Sequence, residues 1–149
     1  MKRILYTRPD GGISIVTPAI NFDEVITEYQ ALARAQAKLP VDVINARVID
    51  PSEILTDRTF RDAWEDKGVI SVNMGKAREI YKNLLRQKRA PLLAALDIEY
   101  QRAIESGDSA LKTKIATKKQ TLRDVTADPR IEAAKTPEQL KAVIPDALK

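Results

Sequence analysis

The chain has 149 residues, 44% of them hydrophobic and 31% charged, with a formal net charge of +4 at neutral pH. That suits one domain, or one small domain with an extension, and it predicts a folded basic protein. Cysteine and histidine are both absent, which excludes thiol nucleophiles, disulfides, Ser-His-Asp chemistry and the usual zinc and haem ligand sets.

Composition leaves room for a carboxylate-bound magnesium or calcium, but no Asp-rich loop of calcium-binding spacing occurs, and no metal or cofactor is expected. Aromatic residues make up only 5%, and much of the apolar content is alanine, a mixture that favours helices with slim cores. The N-terminus breaks into charge and proline too early for a signal peptide, and no apolar run approaches the ~20 residues that cross a bilayer. The expectation is a soluble protein made in a cytoplasm, without a membrane partner.

Taken in order, residues 3–7 and 13–17 are β-rich and flank Arg8-Pro-Asp-Gly-Gly12, which predicts a hairpin. A strand rather than a helix follows the glycines, which argues against a phosphate-binding loop. Asn21 and Glu24 have capping-box spacing. They would start a helix whose inner stripe is Val25, Ile26, Tyr29, Leu32 and Ala33, ending before Pro40. The next strand runs over residues 41–49, with the uniformly apolar Ile44, Ala46 and Val48 expected to face the core.

A short helix is predicted around residues 59–65, carrying Phe60 and the single tryptophan, Trp64. Two aromatics at this spacing are usually anchors packed onto a sheet, and otherwise an exposed partner site. A last strand at residues 69–72 leads into Asn73, an N-cap for a long helix.

From there the pattern becomes helical. Ala77, Tyr81, Leu84, Leu85, Leu92, Leu96 and Ala103 share one stripe, and Leu111, Ile115, Leu122 and Val125 form a second, interrupted by Lys118. Residues 105–109, Glu-Ser-Gly-Asp-Ser, turn the chain between them. The first helix would span ~48 Å if unbroken, but Pro91 predicts a kink or break near residues 89–90. The broad apolar face beyond it suits a bundle or a homo-oligomer.

Lys82, Arg86, Lys88 and Arg89, and then Lys112, Lys114, Lys118 and Lys119, form basic runs. They could meet nucleic acid or an acidic partner. No nucleic-acid module and no interleaved aromatic beyond Tyr81 accompanies them, which favours a solvated face. After a stop at Pro129, Thr136-Pro-Glu-Gln139 has capping-box composition and predicts a short C-terminal helix through Val143.

The fold expected is α+β: a small, mostly antiparallel sheet with one or two covering helices, then a long helical hairpin and a short C-terminal helix. The division expected is residues 1–73, 74–128 and 129–149. Asp62 and Glu65, three apart, could share a helical face, as could Asp23 and Glu24, but such acids are common at helix starts for electrostatic reasons. Nothing converges on a reaction, so no catalytic residue and no enzyme activity is expected.

Five stretches carry a resemblance. They are residues 2–16, KRILYTRPDGGISIV; residues 56–64, TDRTFRDAW; residues 89–97, RAPLLAALD; residues 119–124, KQTLRD; and residues 136–143, TPEQLKAV. The first three together resemble a family of small tailed-phage and prophage proteins associated with tail or tail-fibre genes, and the last two resemble the ends of phage tail-fibre-associated proteins. The resemblance implies a structural virion protein of the phage tail, present in several copies and synthesised in the bacterial host cytoplasm. Its partners would be tail or tail-fibre subunits. Alternatives are an assembly chaperone absent from the mature particle and, behind it, a basic nucleic-acid-binding regulator. Candidate partner-binding residues are Arg58, Phe60, Arg61 and Trp64, which combine charge with aromatics, and Leu92, Leu96, Leu111, Ile115 and Leu122 on the distal hairpin.

Overall fold

The computed structural model describes residues 1–19 and 26–149. Asn21, Glu24, Val25 and Asp23 lie outside the described residues. The architecture is α+β, with small antiparallel sheets followed by helices. The chain forms two compact units, Met1–Asn73 and Met74–Lys149.

In the first unit, strands β1 (Arg3–Thr7) and β2 (Ile13–Val16) pair antiparallel, with Leu5 opposite Ile15. The turn between them closes through the Arg8 N–H donating to the Gly12 carbonyl at 2.7 Å. Gly11 takes φ 74°, a conformation that glycine adopts without steric cost. The Arg8 guanidinium lies across the turn, donating to the Ile13 carbonyl at 2.7 Å and the Ser14 hydroxyl at 3.0 Å. A Cβ on Gly12 would stand 2.2 Å from that guanidinium, so a larger residue there would push the Arg8 side chain aside.

Strand β3 (Ile44–Ile49) pairs with the other edge of β1, giving the order β2-β1-β3. Helix α1 (Glu28–Gln36) is capped by Thr27 and Gln30, which exchange both capping-box hydrogen bonds. It buries Ala31 and Leu32, whereas Tyr29 is 81% exposed, so the inner stripe is rotated from the expected one.

Strands β4 (Trp64–Asp66) and β5 (Ile70–Val72) form a separate two-stranded sheet. Its Trp64 and Ile70 pack with Leu5 and Ile49 as a buried cluster, bordered by Ile13, Ile15, Ile54, Leu55 and Val72. The short helix expected over residues 59–65 is instead a single 3₁₀ turn, Arg61–Ala63, running directly into β4.

The facing of β3 corrects the sequence reading. Ile44 and Val48 are 49% and 40% exposed, and Ala46 is also exposed, whereas Ile49 is buried. Asn45 takes φ 51°, and the pairing with β1 shifts register between Leu5 and Thr7. Such an irregularity re-aims the residues around it. Arg47 then occupies the face shared with Ile49, where an apolar count would not have put it.

In the second unit, helix α2 (Met74–Glu105) runs continuously through Pro91, so the break expected near residues 89–90 is not there. Ala77, Tyr81, Leu85 and Ala103 are buried, with Leu93, Leu96 and Tyr100 half-buried between them, so one stripe continues past the proline. Gln87 and Pro91 are both exposed, and the carbonyl deprived of its amide partner is on the solvated side.

The helix ends in a Schellman pattern. Asp108 N–H donates to the Ala103 carbonyl and Gly107 N–H to the Ile104 carbonyl, both at 3.0 Å, with Gly107 at φ 71°. Asp108 then caps helix α3 (Ser109–Asp124) by accepting from the Leu111 N–H at 2.8 Å. Helices α4 (Pro129–Ala133) and α5 (Pro137–Ala142) follow, each with proline at its first turn. Thr136 caps α5 as its composition predicts, although Gln139 reaches back to the Lys135 N–H. Ile131, Leu140 and Val143 bury the C-terminal segment within the unit. Among the described residues no helix is long and apolar enough to cross a membrane.

Candidate functional site

The expected contact stretch at residues 58–64 separates into two kinds of residue. Phe60 and Trp64 are each 2% exposed, and Trp64 sits in the cluster of Leu5, Ile49 and Ile70. As core residues they offer no surface to a partner, which corrects their candidacy. The reason is local: the 3₁₀ turn delivers Trp64 to the first position of β4, opposite Val72. Arg58 and Arg61 remain exposed.

The distal hairpin residues also divide. Ile115 and Leu122 are 1% and 5% exposed, part of the packing between α2 and α3. Leu92 and Leu111 are 44% and 42% exposed, and Leu96 is half-buried. Leu92, Leu96 and Leu122 come together in a groove of about 430 Å³, completed by Ala95 and Glu99 from α2 and by Lys118 and Thr121 from α3. Ala147, in the C-terminal 3₁₀ turn Asp146–Leu148, contributes to the same groove. Its walls are mainly apolar, with one cation and one anion among them. Leu111 and Ile115 do not line it.

Lys82, Arg89 and Lys119 from the basic runs, and Arg78 beside them, have structural duties that spacing did not reveal. Lys82 donates to Glu79 at 3.0 Å and to Glu132 at 2.8 Å. Its ammonium is held charged to a higher pH than usual by the Glu132 and then the Glu79 hydrogen bond. Arg78 donates to the Ala134 carbonyl at 2.8 Å and the Ile131 carbonyl at 3.3 Å. Arg89 donates to the carbonyls of Leu122 and Arg123 at the end of α3. The Tyr81 hydroxyl donates to the Val143 carbonyl, and burial pushes its ionisation upward. Lys119 pairs with Asp97 at 2.5 Å and lies 5.0 Å from the centre of the Tyr100 ring. By contrast, Lys112, Lys114 and Lys118 form no ion pair among the described residues.

In the first unit the dominant polar feature is Arg47. Its guanidinium forks onto Asp66 at 3.0 and 3.1 Å and reaches Glu53 at 3.0 Å. The Arg47 hydrogen bonds hold the Asp66 carboxyl below the usual carboxylate range. Sequence spacing gave no signal for this group, because its partners stand 19 and 6 residues away.

Nor do Asp62 and Glu65 converge on a reaction, and Asp23 and Glu24 lie outside the described residues. Asp62 is exposed, and Glu65 is occupied by the Asn73 amide at 3.0 Å and by Lys67 at 2.6 Å. Among the described residues no group of His, Cys, Asp or Glu is placed to hold a metal ion. The shifted groups are explained by burial or by hydrogen-bonded partners that fasten the fold. Comparison of the chain with protein-family models, curated proteins and solved structures gives no match.

Proposed function

We propose that the protein is a non-catalytic structural component of a tailed-phage particle that binds tail or tail-fibre subunits. The hairpin groove around Leu92, Leu96 and Leu122 is the docking face in this reading. The observation that carries it is that groove: an apolar trough between two packed helices, with Leu92 44% exposed. A trough of that character between two helices suits a third helix or an extended segment from a partner. Lys112, Lys114 and Lys118 leave α3 with unmatched positive charge, which disfavours pairing α3 with its own copy and favours a less basic partner. The phage setting rests on the five resembling stretches of sequence.

Mass spectrometry of purified particles tests the reading. The expected outcome is the protein at a fixed copy number per particle, with a photo-crosslinker at position 92 capturing one tail or fibre subunit. Absence from washed particles, with crosslinking only in lysates, would instead make it an assembly chaperone. Failure to crosslink to any tail protein in either preparation overturns both.

A further inference from the structure

Five arginines among the described residues are half-buried: Arg3, Arg8, Arg47, Arg78 and Arg89. Arg8, Arg47, Arg78 and Arg89 each donate to a carboxylate, a hydroxyl or a main-chain carbonyl. Arg3 does not. Its Nε is buried and has no hydrogen-bond partner. A buried donor on a charged group is costly to leave unmatched, and folded proteins rarely do so without a reason.

Arg3 lines a cleft of about 300 Å³ together with Arg58, Thr56, Ile54, Leu55 and Pro51. Arg58 forms no ion pair among the described residues either. The acids in the adjoining loop are engaged locally. The Asp57 carboxylate accepts from the Thr59 N–H at 2.9 Å and hydroxyl at 2.6 Å, and Asp50 accepts from the Ser52 N–H and hydroxyl. The cleft thus combines two unmatched guanidiniums, one hydroxyl and an apolar wall, with no carboxylate among its lining residues.

We propose that this cleft binds a carboxylate carried on a short apolar stem, as presented by the C-terminus of a partner chain. Guanidinium groups recognise planar oxyanions through paired N–H donors, and the oxyanion would offset the charge of both arginines. The walls of Ile54, Leu55 and Pro51 select a carboxylate with an apolar attachment over a bare phosphate. The cleft lies entirely within the first unit, so the inference stands independently of the hairpin groove.

The test is an NMR titration of the full chain, following backbone amides and arginine Nε–H signals. Three probes are compared: N-acetyl-leucine, its uncharged amide, and inorganic phosphate. N-acetyl-leucine should give saturable shifts centred on Arg3, Thr56 and Arg58. The amide should give none at the same concentration, and phosphate should bind at least tenfold more weakly. Arg58→Ala, a change on an exposed loop that leaves the core intact, should weaken N-acetyl-leucine binding about tenfold. Arg3→Gln should do so more strongly. Equal shifts from the amide, tighter binding of phosphate, absence of saturable shifts, or an unchanged affinity in Arg58→Ala would each overturn the assignment.

Discussion

In Met1–Asn73 the half-buried Arg47 is matched by carboxylates, Asp66 at 3.0 Å and Glu53 at 3.0 Å. In Met74–Lys149 the half-buried Arg78 and Arg89 donate mainly to main-chain carbonyls, those of Ile131, Ala134, Leu122 and Arg123, with Glu132 a more distant 3.8 Å from Arg78. These carbonyls lie at or just beyond the C-terminal ends of α4 and α3, where they lack intrahelical partners and the helix dipole favours a cation. The difference has consequences. A carboxylate can be switched off by a proton, whereas a carbonyl cannot, but a carbonyl is in position only while its helix end is formed. The first fastening should answer to acid; the second should answer chiefly to whatever unravels the C-terminal segment, with the Glu132 pairs to Lys82 and Arg78 open to a proton.

The largest effect that would break this comparison is at Arg78. Arg78→Ala removes the donors to Ile131 and Ala134, and charged hydrogen bonds of this kind contribute about 1.5–3 kcal/mol. The expected outcome in urea unfolding is a loss of that size. Limited proteolysis should also cut faster within residues 128–149. Arg78→Lys should recover only part, since an ammonium cannot fork onto two carbonyls in the guanidinium geometry. Unchanged cleavage in Arg78→Ala would show that the apolar contacts of Ile131 and Leu140 hold the segment alone.

A smaller effect, with a pH signature, belongs to Asp66. The Arg47 hydrogen bonds hold its carboxyl below the ordinary value, while desolvation opposes them and the Gly68 N–H assists. A carboxyl depressed in the folded state contributes its full stabilisation above the unfolded value, about 3.9. That contribution falls away as pH drops through the folded value. Asp66→Asn should therefore cost on the order of 1–2 kcal/mol at pH 7, and the two proteins should converge in stability once pH has dropped below the depressed folded value. Trp64 fluorescence reports the first unit, since it is the single tryptophan and is buried there. A constant difference across the acid range would remove Asp66 from the account.

The same contrast explains what could be read from the amino-acid sequence. Features set by neighbouring residues were legible: the Asp-Gly turn, the turn at Gly107 and Asp108, the cap at Thr136, and the two long helical stripes. Features set by distant residues were not. Alternation alone placed Ile44, Ala46 and Val48 inward, but the positive φ at Asn45 and the demand of Asp66 for Arg47 set the other face inward. Helical spacing joined Phe60 to Trp64, yet the pairing of Trp64 with Val72 made it the start of a strand. Of the proposed contact residues, Leu92, Leu96 and Leu122 share the groove because they lie on facing stripes of neighbouring helices. The Arg3 cleft had no local signature, because its walls come from a strand and a loop about 50 residues apart.

Two neighbouring lysines give the finest division between fastening and surface. Lys119 is 15% exposed in its side chain, pairs with Asp97 across the hairpin and approaches the Tyr100 ring. Lys118, one position earlier, turns to the groove and has no ion pair among the described residues. Truncating Lys119 to alanine should cost about 0.5–1 kcal/mol, the combined scale of a well-placed pair and a partly exposed cation–π contact. Lys118→Ala should stay within about 0.5 kcal/mol of the parent, as surface changes without partners do. Urea unfolding of the two variants in parallel provides the measurement, and raised salt should narrow the gap by screening the Asp97 pair. If Lys118→Ala proves the more destabilising, the groove lysine is holding the hairpin together rather than facing a partner, and the docking face would have to be sought elsewhere.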